Sequence, residues 1–158
     1  MAEVKYILFT LGNQKYGINL ENINGIEQSY VIVPVPAGAE YVKGIIHLRE
    51  MVIPVIDVKK RLGLMQSRGE DARLLLSDTH NIKVAVEVDQ VLGIFSVDEQ
   101  NVKKVPNVVR GEDTDYLENI IKVEQDGASE IMISISIDHL LSDEEYEDVS
   151  TVLNEAME

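Results

Sequence analysis

GIIHLREMVIPVIDVKKRLG, residues 44–63, decides the fold of this 158-residue chain. Two apolar runs, 45–48 and 52–58, flank the charged pair Arg49-Glu50. Short β-branched runs around a two-residue polar break read as a β-hairpin. The second run ends on Asp57 and passes into Lys59-Lys60-Arg61, closed by Gly63. An Asp ahead of a basic turn is a helix N-cap, so a short helix follows the strand. Pro54 lies inside the second run and cannot donate to a ladder, which places it on an edge strand or at a bulge.

The same pattern runs outward in both directions. Residues 5–11, 16–20, 31–35, 44–48 and 52–58 read as five strands, and 73–77, 83–88, 90–95, 116–123 and 130–137 as five more. Residues 66–71 are a polar linker, and Asp126-Gly127 marks a hairpin turn. The second start is a repeat. NQKYGINLENINGI (13–26) aligns without gaps on NIKVAVEVDQVLGI (81–94), an offset of 68 with four identities. Asp57 before Val58 answers Asp138 before His139 at an offset of 81, which predicts a 13-residue gain in the second half, near 110–118. Within the repeat, Ile18, Leu20, Val86 and Val88 are expected to be buried, and Ile23 and Val91 to leave an apolar face open. Five short strands per half suit two small closed barrels, because closure removes exposed edges.

Composition and motifs argue against catalysis. There is no Cys, and His47, His80 and His139 lack metal-ligand spacing to one another. No nucleophile elbow, phosphate loop or dinucleotide fingerprint occurs. Asp57 and Asp138, one per half, invite comparison with an aspartic protease dyad, but each is followed by bulky or charged residues and reads as a helix cap. His80 in a turn and His139 at a helix start are expected to be solvated. The expectation is no enzyme, no cofactor and no metal. No apolar run approaches the ~18 residues that span a bilayer.

The net charge of −14 is uneven: residues 1–109 hold 13 acidic and 12 basic side chains, residues 110–158 hold 15 and two. Such an acidic half excludes nucleic acid as a partner. It either solubilises the chain or meets a basic partner. Ser142-Asp143-Glu144-Glu145 is a capping box that opens a helix with Tyr146, Val149, Val152, Leu153 and Met157 on one face. That helix packs back on a barrel or reaches a partner.

Residues 44–64 resemble the central signature of the CheW-like family: G-hydrophobic-x-N-L-R-G, then V-hydrophobic-P-hydrophobic-hydrophobic-D-L-R, then R-hydrophobic-G-L. Gly44, Leu48, Arg49, Val52, Pro54, Val55, Ile56, Asp57, Arg61, Leu62, Gly63 and Leu64 match. His47 stands where the family has Asn, and Glu50 where it has Gly, a residue suited to positive φ. The resemblance implies an all-β fold of two pseudo-repeated, five-stranded, SH3-like β-barrels with short helices and a C-terminal amphipathic helix. It implies a domain over 1–142, with barrels near 16–65 and 72–142 and N-terminal strands that cross over, followed by an acidic helix at 143–158. The implied function is a non-enzymatic cytoplasmic adaptor that couples methyl-accepting chemoreceptors to a chemotaxis histidine kinase, meeting the membrane only through receptors. The alternatives are a scaffold of another chemosensory system and a small-ligand-binding duplicated barrel. Partner contacts are implied at Ile23, Val33, Gly44, His47, Arg49, Glu50 and Val88, with the receptor tip between the barrels and the kinase on the first barrel around 31–35. Arg49 either reaches a partner or braces the hairpin through Asp57 or Glu50.

Overall fold

The computed structural model describes residues 2–35, 40–64, 70–106 and 115–156. Its strands are β1 (Glu3–Leu11), β2 (Gln14–Asn19), β3 (Gly25–Glu27), β4 (Val42–Leu48), β5 (Met51–Ile56), β6 (Arg73–Thr79), β7 (Ile82–Val88), β8 (Gln90–Asp98), β9 (Val102–Lys104), β10 (Leu117–Gln125) and β11 (Ala128–Ile135). Helix α1 spans Val58–Arg61 and α2 spans Asp143–Ala156. Hydrogen bonds sort the strands into a five-stranded sheet, β3-β6-β7-β5-β4, and a six-stranded sheet, β8-β1-β2-β11-β10-β9. Beyond β4, Val33 adds a single bridge to Ile45.

Each sheet curls round its own core. In the five-stranded sheet, Ile46 of β4 meets Leu74 and Leu76 of β6, with Ile53, Val55 and Ala85 between them. In the six-stranded sheet, Val97 of β8 meets Ile121 and Val123 of β10, with Tyr6, Leu8 and Met132. Those strands are not ladder neighbours, so the sheets must roll up to bring them together. The alternate residues of the same strands, among them Ile7, Phe9, Ile56, Leu75, Val86 and Ile135, fill a third core shared by both barrels. Both strand faces are therefore buried, which explains the continuous apolar runs in the sequence.

The duplication is visible in the register. Gly25 and Ile26 of β3 lie opposite Leu76 and Leu75 of β6, while Gly93 and Ile94 of β8 lie opposite Leu8 and Ile7 of β1. All four positions differ by 68, and each repeat places its first hairpin, β1–β2 or β6–β7, in the barrel built from the later strands of the other repeat. Residues 3–19 thus cross over to the second barrel, and 73–88, expected in the second barrel, join the first. The parallel rungs Val55–Ala85 and Ser134–Gly17 match at 79 in the later strand. Asp57 and Ser136, also 79 apart, are the equivalent helix-start residues. This corrects the pairing of Asp57 with Asp138: the gain is 11 residues (79 − 68), not 13. Most of 110–118, its expected place, lies outside the described residues.

Other expectations shift by local chemistry. Residues 31–35 form only the Val33 bridge, not a strand. Val58 begins α1, because the Asp57 carboxylate accepts from the Lys60 N–H at 3.1 Å and closes the strand. Leu20 is half-buried, since the strand ends at Asn19 and enters a 3-10 turn. Pro54 is in neither an edge strand nor the bulge, which falls at Val42/Gly44. Ile45, its partner in β4, gives both backbone groups to Val33, at 2.8 and 2.9 Å. Pro54 therefore turns its nitrogen away from β4, to the flank that β7 joins only from Val55 onward. Residues 66–69 of the expected linker and Met157 lie outside the described residues.

Three hairpins share one turn. Arg49-Glu50, His80-Asn81 and Asp126-Gly127 all have positive φ at both central positions, as a type I′ turn requires. Asn, Asp and Gly tolerate this; Arg and Glu do so only with strain. Glu50→Gly is expected to stabilise the fold by about 1 kcal/mol, read as a rise of the melting midpoint by ~2–4 °C. A lower midpoint would contradict the strained turn.

Glu118, at the start of β10, has its carboxyl pushed up from the ordinary value of 4.5, first by burial, with His139 opposing and Asp138 adding. Its protonated form is favoured by folding, so this stabilisation is present at low pH and lost as pH rises through the folded-state value. Glu118→Gln is expected to raise the melting midpoint at pH 7 and to leave it near wild type at pH 4, measured by paired thermal scans. An equal shift at both pH values would show that the charge is not responsible.

Candidate partner-binding surfaces

Segment 30–33 runs along β4 with alternating side chains. Tyr30 and Ile32 pack into the first barrel's core. Val31 and Val33 face outward, 79% and 53% exposed. The backbone approaches so closely that a Cβ on Gly44 would sit 2.8 Å from the Ile32 Cγ2 and against the Val33 carbonyl. Gly44 is itself buried, so its contribution is to admit this segment rather than to touch a partner. His47, exposed, lies two residues beyond Ile45 on the same face of β4.

The second barrel supplies the internal comparison. Tyr41 and Tyr116 carbonyls accept from the N–H groups of Asp57 and Ser136, each at 2.8 Å, and bulges follow at Val42/Gly44 and Leu117/Asn119. Ile45 is therefore equivalent to Ile120. Val33 lies opposite Ile45, and Lys103 opposite Ile120. The exposed valines of one barrel, Val31 and Val33, are Asn101 and Lys103 in the other. The framework does not require apolar side chains there.

A second apolar feature flanks the shared core. Ile26 and Ile94, opposite Leu75 and Ile7, point to the face that meets the other barrel, yet are 46% and 58% exposed. Ile23 and Val91, the next pair of repeat mates, are half-buried against the shared core. Together they set two apolar pairs, related by the repeat, beside the shared core.

Arg49 and Glu50 are exposed at the β4–β5 turn, and Arg49 makes no ion pair with Asp57 or Glu50. The bracing alternative for Arg49 is removed. Val88 is fully buried in the shared core and offers no surface to a partner, which corrects its expected place among the contacts. Its strand phase, shared with Val84 and Val86, already pointed inward.

Little chemistry converges elsewhere. Among the described residues no group of His, Asp and Glu could hold a metal ion. Asp138 is not a helix cap; its carboxylate accepts from the Thr79 hydroxyl. His80 is not simply solvated: its ring stacks on Tyr146 at 4.1 Å and its Nε2 donates to the Asp138 carbonyl at 3.0 Å. Tyr146, whose hydroxyl burial pushes far up from its ordinary value, docks α2 in the shared core beside Val149 and Leu153. The capping box is present, with Glu145 N–H on Ser142 Oγ at 3.1 Å and Ser142 N–H on Glu145 Oε1 at 3.0 Å. Among the described residues no helix is long and apolar enough to cross a membrane.

Arg61 sits where the two halves meet. Its guanidinium lies 4.8 Å from the Tyr41 ring and 5.0 Å from the ring of Tyr116, its repeat mate. Its Nε donates to the carbonyl of Leu140 at 2.9 Å. Sequence reasoning placed Arg61 in the motif but gave it no role, because both stacking partners come from distant segments.

The CheW-like domain model matches residues 5–145. The chain is 32% identical over 122 residues to the chemotaxis protein CheW of Bacillus subtilis, covering 76% of this chain and 78% of that one. It is 23% identical over 155 residues to the chemotaxis protein CheW of Treponema pallidum, covering 95% and 89%. The crystal structure of the scaffolding protein TtCheW from Thermoanaerobacter tengcongensis superposes with a TM-score of 0.77 at 28% identity, covering 88% of this chain and 92% of that one. With the family model spanning most of its length and a solved relative sharing its architecture, the chain belongs to the CheW-like domain family.

Proposed function

We propose that this chain is a cytoplasmic adaptor that joins chemoreceptor tips to the regulatory domain of a chemotaxis histidine kinase. Its family is one of non-catalytic scaffolds, and it acts by binding. The observation that carries the assignment of surfaces is the divergence of the two barrels: Val31 and Val33 stay exposed where the equivalent positions are Asn101 and Lys103. An exposed apolar strip that the framework does not need is a docking signature, and it supports the kinase contact on the first barrel. The two apolar pairs beside the shared core, Ile23 with Ile26 and Val91 with Ile94, support a receptor contact between the barrels. Their two-fold disposition suits a helical hairpin, which presents two similar helices side by side. Arg49, which forms no ion pair with Asp57 or Glu50 at the β4–β5 turn, is available to a partner carboxylate.

A reciprocal experiment tests both surfaces. In co-sedimentation and titration with a kinase regulatory domain and a receptor cytoplasmic tip, Val33→Glu should weaken kinase binding about thirtyfold or more, as loss of a hot spot of ~2 kcal/mol does. It should leave receptor binding intact. Ile94→Glu should show the opposite selectivity, and Lys103→Glu should change neither. Wild-type kinase affinity in Val33→Glu, or a large loss in Lys103→Glu, would move the kinase contact off the first barrel.

A further inference from the structure

Segment 30–33 is held to its barrel by little backbone. Val33 and Ile45 exchange two hydrogen bonds, and among the described residues no further rung is formed. The equivalent segment of the second barrel is a true strand: β9 pairs with β10 at Lys104–Asn119, Lys103–Ile120 and Val102–Ile121. Something other than a ladder must fix the position of Val31 and Val33.

Glu87 lies in β7 on the face of Ala85, which points into the first barrel. Its side chain is 9% exposed. It accepts from the Tyr30 hydroxyl at 2.5 Å and from the Lys43 ammonium at 2.8 Å. Tyr30 immediately precedes the exposed strip, and Lys43 precedes the glycine that admits it. We propose that Glu87 is a positioning residue for the docking strip: it clamps Tyr30 and Lys43 and so replaces the missing rungs. The duplication again gives the comparison. The counterparts of Tyr30, Glu87 and Lys43 are Gln100, Asn19 and Glu118, which cannot form this ion pair. Asn19 instead caps its own turn, accepting from Glu21 N–H at 3.0 Å. The barrel with the full strand lacks the clamp, and the barrel with the single bridge has it.

The inference rests on the reading of the strip as the kinase contact, and its test is divided accordingly. Hydrogen exchange on the full chain reads the clamp directly. In Tyr30→Phe and Glu87→Gln, the Val33 and Ile45 amides should exchange about tenfold faster, the factor expected for loss of one hydrogen bond to a charged group. The amides of Leu75 and Val86 should keep their protection. Affinity for the kinase regulatory domain should fall about tenfold, with receptor-tip binding unchanged. In a Val33→Glu background neither substitution should cost further kinase affinity. Unchanged exchange at Val33 and Ile45 in Tyr30→Phe, which keeps the ring in the core, overturns the clamp even if Glu87→Gln fails to fold. Wild-type kinase affinity in Val33→Glu alone would instead defeat the reading of the strip, while the exchange result still decides the clamp.

Discussion

The exchange of strands between the two barrels is the constraint on which the rest depends. Without β3 the first barrel loses the partner of β6, and without β8 the second loses the partner of β1. Neither half can close alone, and unpaired edges are a liability that closure removes. The crossing from β7 to β8 is pinned at Asp89, which accepts from the Gly12 N–H at 2.6 Å and from the buried Lys59 ammonium at 2.5 Å. Removing one member of such a pair strands the other charge out of water. The pair therefore fixes where the chain changes barrels.

Exchange also creates the surfaces. Because each sheet buries both faces, the outer faces of β1, β5, β6 and β7 meet in one shared core, which α2 completes through Tyr146, Val149 and Leu153. Where a sheet face runs past that core, an apolar side chain reaches solvent. Ile26 and Ile94 occupy those places symmetrically, at the same step of each repeat. The strip at Val31 and Val33 is different in kind, since its counterpart is polar. One surface follows from the duplication, the other from divergence after it.

Much of this was written in local sequence. Period-two alternation located most strands, the 68-residue offset set the true register, and the Ser142–Glu145 box and the Asp57 cap are as expected. What failed was nonlocal or very short. β3 and β9 have three residues each, too few for alternation to show. The exchange between barrels leaves no trace in spacing, so the strands of 73–88 could not be assigned to the first barrel. The 81-residue offset matched two aspartates by identity, whereas backbone roles pair Asp57 with Ser136. Among the candidate contact residues, the Arg49-Glu50 turn was legible as a charged break between apolar runs, whereas the exposure of Val33 was not, because 31–35 read as a strand. Val88 was not separable from them by motif alone, only by its strand phase.

The parallel rung between Tyr16 and Ile133 gives the strand exchange a consequence for biosynthesis. Topologies rich in such distant pairings close slowly, because loop entropy is lost before contacts compensate. During synthesis the β1–β2 hairpin leaves the ribosome early and must wait, with Ile7, Phe9 and Ile18 uncovered, until β8 and then β11 have emerged. At ~5–20 residues per second that interval lasts several seconds. Nascent chains of this architecture are thus exposed to aggregation and to chaperones for most of their translation, and their folding is largely post-translational.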